Sequence, residues 1–397
     1  MPTVYVVQYG SPAVKVKYPT LNVAIAGLGA ASSLVLPAFK ENVEGIRLAA
    51  GCDIRPEARE KFQSQYGLPT YETVAALATA TDIDAIWIET PNHLHCEHSI
   101  LAARGGKHVI CAKPVGVTIE ECEQMIQAAR DNNVHLMQGH AKTFDPPIDA
   151  MHSIVSTGAY GQIVHIDTIL YNDWLQRPRL AIELDQSRGG GILLRQAPHQ
   201  IDIVRRIIGS QVSRVKANAG RHDPSFHTEG NYAAHLEFAN GATAHVSFNG
   251  YGWFDSNELA WNIGVYGKAS SSDRLVTSRR SGVMELNQKY GEFSSNSPSS
   301  ADIIGDKQPF FGLTIAACER AVIRQSPDGL YIYDVNGKHE VRLPPNPGRA
   351  AELIELREAV RNKRRVFPDG EWGRETLRVC IAIIDSIKTG QVITLSR

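Results

Sequence analysis

The stretch LNVAIAGLGAAS, residues 21–32, decides the fold of this chain. Its apolar run from Val23 to Ala26 predicts a buried strand, and the glycine-rich turn that follows opens a helical pattern. Gly27 permits the tight turn, Gly29 has no side chain to keep a pyrophosphate away from the main chain, and Ser32 is small enough for the helix to lie close to the strand. This order favours a dinucleotide-binding βαβ unit, with an ordinary βαβ turn as the alternative.

An acidic residue supports the dinucleotide interpretation. The second apolar strand, LAAGC at 48–52, ends in Asp53, roughly 20 residues beyond the glycine turn as the fingerprint requires. This carboxylate would accept hydrogen bonds from the ribose hydroxyls of NAD and repel the 2′-phosphate of NADP, although Arg55 leaves NADP as an alternative. The phosphates are predicted to bind the main-chain N–H groups of Ala30 and Ala31, where the helix begins.

Size and composition exclude several classes of protein. The 397 residues suffice for two or three domains. The 41 basic and 42 acidic side chains nearly balance, which argues against nucleic acid or a membrane surface as a partner. No apolar run approaches the length of a membrane-spanning helix. Six cysteines without a Cys-x-x-Cys pair predict reduced thiols and a cytoplasmic location.

The chain divides into regions of different pattern. Residues 1–20 are predicted to form an arm. Short buried strands alternate with helices over 21–145, which predicts an α/β fold with a doubly wound parallel sheet, the Rossmann arrangement. Residues 146–397 are predicted to form an α+β domain, for substrate binding and oligomerisation, with an open, largely antiparallel sheet. Its predicted strands show period-two alternation and are Ile163–Tyr171, Val212–Ala219, Tyr232–Phe238, Ala242–Asn249 and Trp261–Tyr266.

Two residues are candidates for acid–base chemistry. Lys113 follows an apolar strand and precedes a proline, at the rim where a parallel sheet binds its ligand, and partial burial there would lower its pKa. His199 lies on a predicted helix after a glycine turn, and Asp202, one helical turn later, is a candidate to orient its ring. A solvated lysine and a surface histidine are the plain alternatives.

Other polar groups indicate the kind of ligand that binds near these two residues. Paired cations recognise carboxylates through parallel hydrogen bonds, and ordinary surface charge is the alternative. The cations of the predicted substrate cleft are Lys142, Arg177, Arg179 and Arg195. His95 and His98 are helically adjacent, but nothing else in the sequence completes a zinc set, so no metal is predicted.

The order of these motifs resembles the Gfo/Idh/MocA oxidoreductases, named for glucose–fructose oxidoreductase and inositol dehydrogenase, and in particular their phthalate 4,5-cis-dihydrodiol dehydrogenase group. The resemblance runs from about residue 21 to the C-terminus and rests on Gly27-x-Gly29, Asp53, Thr90-Pro91-x-x-x-His95, Lys113-Pro114, Arg177-Pro178-Arg179 and Gly189-Gly190-Gly191 before His199. It implies that Lys113 and His199 are catalytic and that the assembly is a homodimer or homotetramer through the C-terminal sheet. The implied cofactor contacts at the strand ends are Thr90, Pro91, Asn92, His95, Lys113 and Pro114.

Three positions depart from the pattern of these relatives. Ala112 replaces the usual glutamate before the lysine, Arg195 stands where sugar and inositol dehydrogenases carry an aspartate, and Lys142 replaces a neutral residue or a histidine. Each change makes the cleft more positive. The sequence therefore predicts an NAD-dependent dehydrogenase that oxidises a C–OH of a small cyclic, carboxylated diol. The alternatives are a sugar, sugar-acid or inositol dehydrogenase, a redox-neutral lyase or glycosidase that retains NAD, and a non-catalytic NAD sensor.

Overall fold

The computed structural model describes residues 19–41, 43–139, 141–177, 179–226, 228–269 and 304–395. Most of the predicted N-terminal arm, residues 1–18, therefore lies outside the described residues. Two sheets organise the described chain. The first sheet is entirely parallel and has the strand order β3-β2-β1-β4-β5-β6. Its strands are β1 (Leu21–Ala26), β2 (Ile46–Cys52), β3 (Thr70–Tyr71), β4 (Ala85–Ile88), β5 (His108–Ala112) and β6 (Leu136–Gly139).

This strand order confirms the predicted Rossmann arrangement. The chain runs outward from β1 to β3, returns to the other side of β1 with β4, and continues outward to β6. The order reverses between β1 and β4, and open parallel sheets bind their ligands in the crevice at the carboxyl ends of such strands. Gly27 and Glu89 are the first residues beyond those two ends.

The helix predicted after Gly29 is replaced by two 3₁₀ segments, Ser32–Leu34 and Leu36–Glu41. The Ser32 hydroxyl donates to the Gly29 oxygen at 2.7 Å and so binds a carbonyl of the first turn. Pro37 has no N–H and its ring would clash with a carbonyl one turn earlier, so a continuous α-helix cannot pass through it. The prediction of a helical segment after the glycine turn is therefore correct in its position, but the helix is of the 3₁₀ type rather than the α type.

Ten α-helices lie in the described part of the chain. They are α1 (Pro56–Tyr66), α2 (Val74–Ala78), α3 (His95–Arg104), α4 (Ile119–Asp131), α5 (Pro146–Ser156), α6 (Ala181–Leu184), α7 (Ile192–Arg195), α8 (Ala197–Ile208), α9 (Ala350–Asn362) and α10 (Gly370–Thr389). Both C-terminal helices contact the first sheet or its helices. Leu353 and Leu356 of α9 share a buried apolar cluster with Val23 and Trp87. Burial of such side chains favours folding by about 1.5–3 kcal/mol each.

The second sheet has nine strands in the order β14-β13-β12-β11-β7-β10-β9-β8-β15. They are β7 (Ile163–Tyr171), β8 (Val212–Gly220), β9 (Asn231–Phe238), β10 (Thr243–Asn249), β11 (Leu313–Cys318), β12 (Val322–Ser326), β13 (Gly329–Asp334), β14 (Gly337–Arg342) and β15 (Ile393–Thr394). Only β7 and β10 pair in parallel, so the prediction of a largely antiparallel sheet is confirmed.

One predicted strand is wrong. Residues 261–266 form turns after the 3₁₀ segment Ser256–Ala260, because Trp261 and Asn262 have positive φ angles of 54° and 57° that an extended strand does not allow. The five strands from β11 to β15 had no counterpart among the predicted strands.

Helix α8 joins the two sheets. The buried carboxylate of Asp202 accepts hydrogen bonds from Gln138 on β6 at 2.6 Å and from Trp372 on α10 at 2.9 Å. On the second sheet, Gln200 accepts from the Tyr232 hydroxyl at 2.6 Å and donates to the Ser247 oxygen at 3.1 Å. These buried contacts hold α8 between the sheets. In the described residues, no helix combines the length and apolar character needed to cross a membrane.

Candidate active site

The glycine turn after β1 lies at the reversal point of the first sheet. Gly27 has φ +95°, and a Cβ there would approach the Glu89 carbonyl carbon to 2.7 Å, so only glycine fits. A Cβ on Gly29 would meet no atom within 4 Å. The main chain at Gly29 therefore faces open space, which is the arrangement that close approach of a pyrophosphate requires. The following Ala30 and Ala31 open the first 3₁₀ segment.

Asp53 lies beside this turn and is already engaged by it. Its Oδ2 accepts a hydrogen bond from the Leu28 N–H at 2.8 Å. The Arg55 guanidinium donates to both carboxylate oxygens at 3.0 Å, and the Arg55 N–H donates to Oδ1 at 2.9 Å. Burial alone would raise the pKa of Asp53, but the hydrogen bonds from Arg55 and Leu28 outweigh it and lower the pKa. The carboxylate is therefore ionised and held beside the glycine turn.

Lys113 projects from the carboxyl end of β5, and its Nζ donates to the main-chain oxygen of Arg195. Loss of water around the ammonium, together with the positive charges of Arg195 and Arg349, lowers the pKa of Lys113 to about 7. This agrees with the pKa shift predicted from its position. A lysine with this pKa can both accept and return a proton near neutral pH.

Two residues near Lys113 were not identified from the sequence. Glu89, just after β4, accepts a hydrogen bond from Trp87 Nε1 at 2.9 Å; its pKa is raised by burial, against the opposing charges of Arg349 and Lys113. Arg349 precedes α9 and pairs with the buried Glu352 at 3.1 Å. Glu89 thus supplies a carboxylate near Lys113, although Ala112 replaces the glutamate that usually precedes this lysine. Its place directly before Thr90 at a strand end was the available signal.

The predicted nicotinamide residues at the end of β4 have two different placements. Thr90 is partly accessible and Pro91 is exposed, and the Thr90 hydroxyl contacts Nδ1 of His98 at 2.9 Å. His95 has no accessible surface; its ring nitrogens lie 2.8 Å from the Pro114 oxygen and 2.9 Å from the Thr90 oxygen. Burial lowers the pKa of His95 to about 4, so the ring is neutral. This corrects the prediction of direct contact: His95 ties together the two loops that carry Thr90 and Pro114.

Asn92 brings the second glycine turn to this crevice. Its side-chain amide donates to the Gly189 oxygen at 2.7 Å, and Arg188 contacts His93 at 2.8 Å. Because residues 189–191 lead directly into α7 and α8, these contacts fix the helix that carries His199 against the loop after β4.

His199 lies in the first turn of α8, four residues after Arg195, whose oxygen binds Lys113. Its partly buried ring packs on Phe311, with the ring centroids 4.6 Å apart. Asp202, which the spacing offered as a partner for this ring, places its carboxylate among Gln138, Trp372 and Thr376.

The predicted cluster of cations is largely neutralised by carboxylates. Arg177 pairs with Asp173 at 2.6 Å. Arg179 and Arg195 share a single buried partner, Glu183, at 3.3 and 3.2 Å. The shared carboxylate leaves this group with one net positive charge. Arg195 presents more of its side chain than Arg179, 31% against 11%, and is therefore the more available cation.

Lys142 has a different set of neighbours, which corrects its grouping with the arginines. It is buried, its Nζ lies 3.2 Å from Asp145, and it donates to the Val265 oxygen. Burial raises the pKa of Asp145 to about 6, against the opposing effect of Lys142. The pair lines a small cavity together with Leu34, Pro37, Ala38, Tyr266, Ile304, Asn346, Gly348 and Arg349.

The chain is similar to known proteins over nearly its whole length. It is 30% identical over 380 residues to the 1-carboxy-3-chloro-3,4-dihydroxycyclohexa-1,5-diene dehydrogenase of Comamonas testosteroni, covering 93% of this chain and 95% of that protein. A crystal structure of a Bordetella bronchiseptica RB50 protein superposes with a TM-score of 0.87 at 34% identity, covering 95% of this chain and 100% of the other. Inositol 2-dehydrogenase of Rhizobium meliloti is 30% identical over 50% of this chain and 58% of its own length.

Family models match both parts of the chain. Residues 21–140 match the oxidoreductase family with an NAD-binding Rossmann fold, and residues 148–271 match the C-terminal domain of the Gfo/Idh/MocA proteins. The first match covers β1 to β6 with the glycine turn, Asp53 and Lys113, and the second covers α8 and four of the nine strands of the second sheet. The chain is therefore a member of the Gfo/Idh/MocA oxidoreductase family, an NAD-binding dehydrogenase.

Proposed function

We propose that this dehydrogenase oxidises a C–OH group of a cyclic, carboxylated diol, with Lys113 and His199 handling the hydroxyl proton. The observation that carries the proposal is the contact between Lys113, whose pKa is lowered to about 7, and the main chain of Arg195, whose guanidinium belongs to a group with one net positive charge. The fold thereby brings a proton acceptor and a carboxylate-binding cation together, although they lie 82 positions apart in the sequence.

Each of these residues has a distinct role in the proposed oxidation. The open face at Gly29 and the carboxylate of Asp53 would hold the dinucleotide, which accepts a hydride when bound. Neutral Lys113 takes the proton from the substrate hydroxyl, and the negative charge of Glu89 stabilises the ammonium that results. His199 passes this proton toward solvent. The hydrogen bond from Asn92 to the Gly189 oxygen holds the segment that leads to His199 at the crevice.

The charge of the cleft supports an anionic substrate. Arg195 and Arg179 exceed Glu183 by one positive charge, and a substrate carboxylate would neutralise it. Arg195 is the residue we assign to that carboxylate, because Arg179 is also held by the Trp174 oxygen at 3.1 Å. The name of the Comamonas relative describes a carboxylated dihydroxycyclohexadiene, which has the same features. A homodimer or homotetramer through the second sheet stays a prediction.

We expect NADH to bind at least about tenfold more tightly than NADPH, because Asp53 would bind ribose hydroxyls and repel a 2′-phosphate. A hydrogen bond to a charged group contributes about 1.5–3 kcal/mol, and about 1.4 kcal/mol corresponds to tenfold. Asp53→Ser, which frees Arg55, should shrink this preference. Titration of intrinsic fluorescence with each nucleotide measures it. Glu57→Ser removes the same charge from the exposed start of α1 and is the matched control. Tighter binding of NADPH by the unaltered protein would contradict the assignment.

The substrate class is tested by one panel with NAD, followed at the absorbance of reduced nicotinamide. The panel contains carboxylated dihydrodiols, uronic and aldonic acids, inositols and neutral sugars. Net NADH formation is expected with the carboxylated diols first. Preference for a sugar acid or an inositol would keep the assignment as a dehydrogenase and rule out a carboxylated diol as the substrate. Turnover without net NADH formation would favour redox-neutral chemistry, and NAD binding without any turnover would favour a sensor.

A further inference from the structure

We propose that the outer face of the second sheet binds one divalent transition-metal ion of the zinc type through His165, Asp167 and His245. This site is separate from the dehydrogenase residues. In the described part of the chain, these three form the group of histidine, cysteine and carboxylate side chains whose ligand atoms come close enough for one ion.

The register of two strands places the three side chains together. His165 and Asp167 are two residues apart on β7, so they project from the same face of the sheet. His245 on β10 pairs directly with Asp167 in the parallel β7–β10 ladder. The intervening Ile166 and the neighbouring Ala244 are fully buried on the opposite face. The site is therefore built on the rigid centre of the sheet, where main-chain hydrogen bonds fix the spacing of its ligands.

The distances match a tetrahedral ion. Asp167 Oδ1 lies 3.3 Å from His165 Nε2 and 3.4 Å from His245 Nδ1. Bonds of about 2.0–2.1 Å to a tetrahedral zinc ion separate neighbouring ligand atoms by about 3.3 Å. All three ligand atoms lie within 4.8 Å of one another, so small side-chain rotations close the remaining gap. Imidazole nitrogen with carboxylate oxygen is a donor set that zinc accepts.

A hydrogen bond orients one of the ligands. Nδ1 of His165 lies 2.7 Å from the Thr243 hydroxyl, which leaves Nε2 to face Asp167. Histidine ligands of metals typically donate their other N–H to such a partner, which fixes the tautomer and the ring. Thr243 pairs with His165 across β10 and β7, so it is positioned by the same ladder as the ligands.

The same face supplies a matched control. His235 on β9 pairs with His245 across the antiparallel β9–β10 ladder, and their ring centroids are 5.0 Å apart. His235 is not one of the three proposed ligands. A general affinity of this face for metal ions would depend on His235 as much as on His245.

The experiment is calorimetric titration of the full chain with Zn²⁺, for the unaltered protein and single variants. We expect one ion per chain, with an affinity at least about 100-fold weaker in His165→Ala and in His245→Ala. Thr243→Val should weaken binding by about 10- to 100-fold, and His235→Ala should bind as the unaltered protein does. Zn²⁺ should also raise the unfolding temperature of the unaltered protein and of His235→Ala, but not that of His165→Ala or His245→Ala, because the ion stabilises the folded state.

Other potential ligands are tested in parallel. His98→Ala, near the dinucleotide crevice, and Cys96→Ser should leave zinc binding intact, and circular dichroism checks that every variant is folded. Equal zinc binding by the unaltered protein, His165→Ala and His245→Ala would overturn the proposal. So would absence of binding at micromolar Zn²⁺, or an equal loss in His235→Ala and His245→Ala.

Discussion

Replacing Lys113 with methionine is expected to lower turnover by about 100-fold or more, while NADH binding stays nearly unchanged. Methionine keeps the apolar length of the side chain and removes the group that accepts the hydroxyl proton. The matched control is Lys107→Met. Lys107 lies just before the other end of β5 and donates to the Ala80 and Ile83 oxygens at 2.6 and 2.9 Å, so its loss tests the fold without touching the crevice. Equal turnover in Lys113→Met and the unaltered enzyme would remove Lys113 from the mechanism.

The pH dependence of kcat/KM tests the same role of Lys113 as proton acceptor. Lys113 accepts a proton only when it is neutral, and burial with Arg195 and Arg349 lowers its pKa to about 7. The kcat/KM for oxidation should therefore be constant above pH 7 to 8 and fall tenfold per pH unit below about 7. Arg195→Gln removes a positive neighbour, which raises the pKa of Lys113 and moves this fall to higher pH.

Replacing His199 with alanine is also expected to lower turnover by about 100-fold or more, as loss of a positioned proton carrier does. The ring lies in the first turn of α8 against Phe311, and the turn before it supplies the carbonyl that binds Lys113. NADH affinity should change little. His152→Ala on α5, the helix that packs on α8, is the matched control. Steady-state rates of His199→Ala that match those of the unaltered enzyme would show that His199 contributes to packing and not to proton transfer.

The first sheet could be predicted because its signals are local. The run Val23–Ala26 is apolar, the turn needs glycine at 27, and the acid at 53 follows a second apolar run. The hydrophobic periodicity of the following segment predicted a helix but not its 3₁₀ type, for which Pro37 was the available signal. The strands β11 to β15 were missed.

The sequence predicted where a candidate residue lies in the fold better than it predicted which side chains pair with that residue. Lys113 was found because the end of a parallel strand is a known place for a ligand, and its lowered pKa follows from that place. The arginines were read as surplus charge, although the four-residue spacings of Asp173 to Arg177 and of Arg179 to Glu183 were available signals for two of the pairs. Only the approach of Arg195 to Glu183 depends on the fold. The paired charges reduce that surplus to one.

Contacts between distant segments account for the remaining omissions. Arg349 lies 236 positions after Lys113 in the numbering, and only the packing of α9 on the first sheet brings its charge near that lysine. Glu89 was within reach of prediction, since it ends the same strand that leads into Thr90-Pro91. Its relation to Lys113 depends on the neighbouring positions of β4 and β5, which the order of parallel strands determines.

The most direct test of the proposed activity compares two substrates that differ in one group. The kcat/KM with NAD is measured for a carboxylated cyclic cis-diol and for the same diol bearing a carboxamide. One charge-assisted contact contributes about 1.5–3 kcal/mol, so the carboxylate should be preferred by roughly tenfold or more, and Arg195→Gln should abolish most of that preference. Equal use of the two diols, or faster oxidation of a neutral sugar than of either, would contradict the account.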